Sequence, residues 1–457
     1  MVEVTKEQLA AAPSGVALDP GEERRYRERT PVSLERQQKA WDLIPTGHAG
    51  GMWYQLPYPV LLERGLGSRV WDVDGNEYLD MRIGDWVMYP GHCNPKIKEA
   101  IVAQLDKAAQ LGAPDFGLAV RHAELLIERM PSVERIKYVA SGTDANLMAL
   151  RGARAHTGKT KLAKAVGAYH GIADILVVGK STISFVSGTT PPGVTPGVAE
   201  DVVEFDFNDP DGAEQVLERH ADELAAVLVE PVMGAAGMIP ATTEFLQRLR
   251  EVTTRLGIVL IFDEVVTLPM HYGGAQALHG VTPDMTTMGK VIGGGIPAAA
   301  VGGSAEVMAI YDPLEHGGKA PVAATASTFG GNCTAMAAGI ACLEQLTPEV
   351  HDRVAALRQR AMDGINEVAR RHEIPLQAVG LGHLFGIHWA PEPVVGGRSQ
   401  MQGDGTKIAN IMMTLMNLGV YQYSFGSFLL GTEHDEGDMD RLVAAMEEAL
   451  HRLGYVG

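Results

Sequence analysis

The sequence predicts an α/β protein with a large, mostly parallel-sheet domain and a smaller α+β domain. Between about residues 120 and 320, apolar strand-like runs alternate with helical stretches, the pattern of a parallel sheet covered by helices. After about residue 335 the alternation gives way to an α+β pattern with two long helices. Length agrees with this division. At 457 residues the chain is too long for a single small core, and its 46% apolar and 21% charged content is ordinary for a globular protein.

In chain order, residues 1–45 read as an exposed N-terminal arm, because Glu22 to Arg29 is nearly all charged and can bury little. Residues 46–115 form the N-terminal part of the small domain. Val70 to Asp80 within it is a hairpin, two alternating runs around Asp74-Gly75, and a helix follows from Pro95 to Ala109. Residues 116–335 form the large domain, with strands at Ile136–Ala140, Lys161–Val166, Val202–Phe205, Ala226–Val229 and Ile258–Phe262. Residues 336–457 are the C-terminal small domain, with helices near Val350–His372 and Asp438–Leu453.

Composition excludes several classes of function. A formal charge of −18 argues against nucleic acid or an anionic membrane surface as partner, since both require a basic face. Cys93, Cys333 and Cys342 are too few and too scattered for a disulfide framework or a zinc cluster, so no metal is expected. Met1 to Arg29 lacks a signal-peptide core, and no run reaches the roughly 18 apolar residues of a membrane span. The expectation is a cytoplasmic protein acting on a small molecule.

Three segments carry the chemistry. Ser141-Gly142-Thr143-Asp144 lies where the apolar run Ile136–Ala140 turns into the helical run Ala145–Ala155. The first N–H groups of a helix lack intrahelical partners, so a phosphate can bind there without a lysine. Gly257 to Phe262 is a buried-type strand ending in Asp263-Glu264, and a lone lysine, Lys290, stands among Gly289, Gly293, Gly294 and Gly295. A phosphate cup, a strand-end carboxylate and a glycine-flanked lysine are together the parts of a pyridoxal 5′-phosphate site. In that reading the lysine bonds covalently to the cofactor, Asp263 pairs with the pyridinium nitrogen, and burial depresses the pKa of Lys290. The glycines leave room for the cofactor. Tyr169-His170-Gly171, after the strand Lys161–Val166, either supplies an aromatic lid or is a plain turn.

A rival of another class is a P-loop ATPase, because four apolar residues before Asp263-Glu264 also describe a Walker B strand. Its phosphate loop is missing: Gly152 to Thr160 has five residues between the glycines where four are needed, and it trails a helix. A non-catalytic ligand-binding relative would not need Lys290.

The same motifs, from about Pro57 onward, resemble the class III, fold-type I pyridoxal-phosphate aminotransferases, especially the branch of glutamate-1-semialdehyde aminomutases and β-phenylalanine aminotransferases. Ala140 to Ala145 stands where that family has its Asn-Ser-Gly-Thr-Glu-Ala cup, and Tyr169-His170-Gly171, Phe262 to Val265 and Gly289 to Gly295 match further motifs. The resemblance implies that Lys290 is the Schiff-base lysine and proton shuttle, that Asp263 holds the ring nitrogen, and that Ser141, Gly142 and Thr143 bind the phosphate. It places Val265 and Tyr169 on opposite faces of the ring. It also implies a homodimer in which Thr328, in Ser327-Thr328-Phe329, reaches the neighbouring subunit's phosphate.

On the substrate side the chain departs from the family. The arginine that β-amino-acid members carry has no counterpart in Thr46 to Trp53, and a second family arginine falls near Phe425. Aromatic residues Trp53, Tyr54, Tyr58, Trp86 and Tyr89 stand where the family builds its pocket, with core packing as the bland alternative, and Arg82 and Arg121 are candidate carboxylate partners. The expected activity is a transaminase moving an amino group from an amine or bulky apolar amino compound to a keto acid. The alternatives are a β-amino-acid aminotransferase and a glutamate-1-semialdehyde-type 2,1-aminomutase.

Overall fold

A computed structural model describes residues 16–45, 47–49, 56–111, 116–179, 190–315, 327–423 and 425–457. The large domain is built on seven strands, labelled β1 (Arg135–Val139), β2 (Lys161–Ala165), β3 (Val202–Phe205), β4 (Leu224–Val229), β5 (Val259–Asp263), β6 (Met285–Gly289) and β7 (Ala299–Gly303). Their spatial order is β1-β7-β6-β5-β4-β2-β3, and β7 runs against the direction shared by the rest. Every residue of β4, β5 and β6 is buried, because helices cover both faces, and such strands need no polar alternation.

The alternation of strands and helices predicted for this region is therefore present, with two additions. β6 and β7 are Met-Thr-Thr-Met-Gly and Ala-Ala-Val-Gly-Gly, too small and too rich in glycine to read as strands. Packing explains the glycines. A Cβ on Gly302 would lie 2.7 Å from Val133 Cγ1, and one on Gly303 would lie 2.7 Å from the Asp284 carbonyl oxygen.

The smaller sheets come from both ends of the described chain. Leu62–Leu66, Arg69–Asp72 and Glu77–Asp80 form an antiparallel meander, and Val420–Tyr421 adds to its edge in parallel, Val420 beside Leu79 and Tyr421 beside Asp80. The predicted Asp-Gly hairpin closes between the second and third of these strands. Asp72 Oδ1 accepts the N–H groups of Asp74 (3.1 Å) and Asn76 (2.8 Å), and Gly75 supplies a φ of +88°. Leu376–Leu381, Leu384–Trp389 and Ser427–Leu429 make a separate antiparallel sheet, flanked by the packed helices Pro348–Arg371 and Glu436–Arg452.

The N-terminal segment differs from the exposed arm expected of it. Pro20–Arg29 and Pro31–Trp41 are helices, and the first packs against the helix Gly405–Asn417. Most of its charges point outward, but Glu22 is buried and accepts from Asn417 through both its carbonyl and its carboxylate, and Tyr26 is 1% exposed and donates to the Tyr58 carbonyl at 2.6 Å. Tyr58, expected near the pocket, belongs to this cluster. Among the described residues no helix is long and apolar enough to cross a membrane.

Candidate active site

Five parallel strands deliver side chains to one place. Ser141 follows β1, Tyr169 and His170 follow β2, Glu230 follows β4, Asp263 ends β5, and Lys290 follows β6. All of them line a cavity of about 640 Å³ at the carboxyl ends of the strands, where open α/β sheets bind their ligands.

The anion end is the start of the helix Gly142–Thr157. Ser141 is its N-cap, and Ser141 Oγ accepts the Asp144 N–H at 3.2 Å, which removes that donor from the predicted cup. The N–H groups of Gly142 and Thr143 remain at the helix entry. Close packing shapes the cradle. A Cβ on Gly142 would sit 3.2 Å from both Val265 methyls, and one on Gly171, where φ is +118°, would sit 2.9 Å from Thr143 Cα.

Asp263 is 5% exposed and is engaged on both oxygens. Oδ2 accepts from Asn146 Nδ2 (2.8 Å) and His170 Nδ1 (2.9 Å), and Oδ1 accepts from the Val265 N–H at 3.2 Å. Burial acts to raise its pKa, but the His170 and Asn146 hydrogen bonds with the Val265 N–H hold it below the ordinary carboxylate value. His170 is driven the other way, since burial lowers its pKa against the pull of Asp263. An imidazole that donates Nδ1–H to the carboxylate leaves Nε2 as an acceptor, and Nε2 is buried without a hydrogen-bond partner. Thr287 Oγ1 donates to Asn146 Oδ1 at 2.7 Å and completes the support.

Glu230, one strand over, is 5% exposed and accepts the N–H groups of Tyr169 (2.9 Å) and Gly234 (3.1 Å). Burial, reinforced by the nearby Asp263 charge, pushes its pKa up to about 8. It ties together two loops of the cavity wall. Lys290 has φ of +51°, a left-handed conformation costly for a lysine and typical of functional positions. Burial lowers the pKa of its amine against Asp263, Glu230 and Asp85, and Nζ stands 5.3 Å from the Trp86 ring centroid. The glycines after it do more than leave room for a ligand. Gly294, at φ +56°, is pressed against the Ala338 carbonyl, and a Cβ on Gly293 would lie 3.0 Å from Ala298 Cβ.

Other predicted residues divide between the cavity and elsewhere. Trp86 lines the cavity, stacked on Tyr423 with ring centroids 4.6 Å apart, whereas Trp53 and Tyr54 lie outside the described residues. Tyr89 is not a wall residue: it is fully buried between His351 and His383. Phe425 is absent from the lining and tilts on Tyr423 at 5.0 Å, so Tyr423 is the aromatic that faces inward. Thr328 is exposed, outside the cavity, with its carbonyl accepting from Gln110. Arg121 is a surface residue paired with Glu344 and Glu124. Glu264 turns away to accept the Ala275 (2.7 Å) and Gln276 (3.0 Å) N–H groups, a local helix-start role and not that of a Walker B acid. Asn146 and Asp85 carry no site reading from the sequence, and Glu230 stands out there only as the strand end in Val229-Glu230-Pro231-Val232 that matches the family. The signal for Asn146 was a polar side chain on the buried face of the helix after the cup.

The residues present fit a flat, phosphorylated pyridine. Glycines line an anion cradle, a carboxylate held below its ordinary pKa stands at the strand end, and the half-buried Lys290 lines the same cavity. Comparison with known proteins agrees. The chain is 37% identical over 399 residues to glutamate-1-semialdehyde 2,1-aminomutase 2 of Geobacillus kaustophilus, covering 86% of this chain and 91% of that protein. An omega-transaminase from Sphaerobacter thermophilus has a similar structure, with TM-score 0.87 and 39% identity over 93% of this chain and 98% of that one. A β-phenylalanine aminotransferase from Variovorax paradoxus gives TM-score 0.86 and 32% identity, covering 98% of each. With residues 53–433 matching the family described as aminotransferase class-III, the chain belongs to that family, and its cofactor is pyridoxal 5′-phosphate.

Proposed function

We propose that the protein moves an amino group from an amine or bulky apolar amino compound to a keto acid. One observation carries the donor class: among the described residues that line the cavity, Lys290 is the only lysine or arginine, and Trp86, Val87, Ile172, Val266, Ile296 and Tyr423 supply an apolar wall. A carboxylate next to the reacting carbon would be buried without a cationic partner, at a cost of several kcal/mol. This weighs against the β-amino-acid and aminomutase alternatives.

Bound pyridoxal phosphate supplies an aldehyde that takes up the amino group and a ring that accepts electron density. Asp263 holds the proton on the ring nitrogen, and His170 and Asn146 keep Asp263 ionised for that task. Gly142 and Thr143 hold the phosphate through backbone N–H groups, with Tyr169 and Val265 confining the ring. Lys290 would hold the cofactor at rest, and its amine, whose pKa burial lowers, would take the proton from the donor's reacting carbon at Nζ.

We further propose a homodimer in which Thr328 serves the partner subunit's phosphate site. In support, Thr328 is exposed and stands outside its own chain's cavity, next in sequence to Phe329 (61% exposed), and its carbonyl accepts from Gln110, whose neighbour in sequence Leu111 is 64% exposed. The donor assignment is tested by screening amines, β-aryl amino acids and diamino acids for conversion of the bound cofactor to its amine form, read from its absorption spectrum. Faster conversion by a β-aryl amino acid than by its decarboxylated amine would overturn it.

A further inference from the structure

One charged side chain in the cavity wall has no part in the scheme above. Asp85 lines the cavity, and its side chain is 50% exposed. The backbone that presents it is unusual: Ile83, Gly84, Asp85 and Trp86 have φ of +42°, +59°, +60° and +70°, one left-handed turn containing three residues that disfavour it. Such a turn persists only where its surroundings enforce it. Here they do so through the carboxylate. Arg82 Nε donates to Asp85 Oδ1, and Tyr423 Oη donates to the same oxygen at 2.6 Å.

The two members of the ion pair are placed differently. Arg82 is 17% exposed, stays out of the cavity lining, donates to Tyr421 Oη at 3.2 Å and lies 4.2 Å over the Tyr423 ring. The cation is fenced behind two tyrosines, and the carboxylate faces inward. Neither bond to Asp85 uses Oδ2. By contrast, both oxygens of Glu230 are taken by protein donors and Asp263 is committed to the ring nitrogen, so among the described residues that line the cavity Asp85 Oδ2 is the carboxylate oxygen left for a substrate.

We infer that Asp85 is a specificity-determining residue that receives the far ammonium group of a donor carrying two amino groups, with an apolar spacer lying along Trp86 and Tyr423. The inference rests on the aminotransferase reading above and narrows its donor class to diamines. Asp85 takes no proton and forms no covalent bond; it accepts a charge-assisted hydrogen bond from the group that does not react. The reverse use of the pair, with Arg82 swinging in to meet a substrate carboxylate, would break its bonds to Asp85 and Tyr421. It would also leave the Asp85 charge facing the incoming carboxylate.

The test uses the holoenzyme and primary amines of varied methylene length whose far end is an ammonium, a methyl or a carboxylate. The expected kcat/KM for the ammonium member exceeds that of its methyl counterpart by about ten-fold or more, with the carboxylate member lowest. Asp85→Asn preserves volume, an acceptor for Arg82 and Tyr423, and tolerance of a left-handed backbone. In that variant the ammonium-to-methyl ratio falls toward one and the carboxylate member rises. An unchanged ratio overturns the inference. Calorimetric binding of the same series to cofactor-loaded Lys290→Ala, with and without Asp85→Asn, repeats the comparison without turnover. An Asp85-dependent ammonium preference in binding with no conversion of the cofactor by any member would sink the donor assignment and leave the Asp85 role standing. Equal affinity for the three end groups would sink the Asp85 role, and this arm decides even if Asp85→Asn does not fold.

Discussion

Asp263 and Glu230 end neighbouring strands, yet their surroundings drive their protonation in opposite directions. Asp263 gathers donors from His170, Asn146 and the Val265 backbone and stays ionised, while Glu230, buried beside that charge, is raised to about 8. On the proposed reading, Asp263→Asn removes the charge that would keep the ring nitrogen protonated and leaves the proposed phosphate cradle intact. Turnover should fall by about a hundred-fold or more and cofactor affinity by less than about ten-fold, as measured by steady-state rates and cofactor titration. Comparable losses in both would argue against the assigned role. Glu230 gives a pH dependence of stability. Below its ordinary value of 4.5 both folded and unfolded chains carry the proton; from there to about 8 the unfolded chain releases it first, so folding weakens as pH rises and then levels off. Each unit of that interval is worth at most roughly 1.4 kcal/mol. Denaturation midpoints of the cofactor-free protein should fall over this range and fall less steeply in Glu230→Gln.

At the scale of elements, the turn that carries Lys290 is held by the helix Cys333–Leu343 through Gly294. A methyl at that position meets the Ala338 carbonyl and a backbone φ of +56° that alanine disfavours. Gly294→Ala should cost about 2 kcal/mol or more, seen as a lowered melting temperature, and should weaken the visible band of the lysine-bound cofactor. The Lys290 glycine run, the Ser141 cap and the strand ending at Asp263 were all legible in the sequence, because each is a local pattern with one chemical reading. The left-handed turn at Ile83–Trp86 was not. Its shape is dictated by Tyr423 and Arg82, and Tyr423 is 338 positions away, so no window of neighbouring residues encodes it. Tyr89 and the N-terminal helices were misread for a related reason. Composition shows how polar a segment is, not which face a distant helix will cover, and here Tyr26 together with the buried Glu22 bonded to Asn417 anchors a charged helix.

At the scale of the whole molecule, the proposed homodimer makes a prediction that no single chain can. Cofactor-loaded Lys290→Ala and an inactive Thr328 variant, mixed under conditions of subunit exchange, should regain about a quarter of wild-type activity. Half of the randomly formed dimers are mixed, and each mixed dimer has one site with both lesions and one with neither. No recovery after demonstrated exchange would show that each site is complete within its own chain. The same scale reveals a consequence of the sheet that joins Glu77–Asp80 to Val420–Tyr421. During synthesis the large sheet can close once residue 303 has emerged, but the meander waits for its last strand and the Asp85 turn waits for Tyr423. Once the helix Cys333–Leu343 has followed, a nascent chain can thus place the phosphate cradle, Asp263 and Lys290 before it has a finished substrate wall. The ability to hold the cofactor precedes, in the birth of each molecule, the ability to choose what the cofactor will meet.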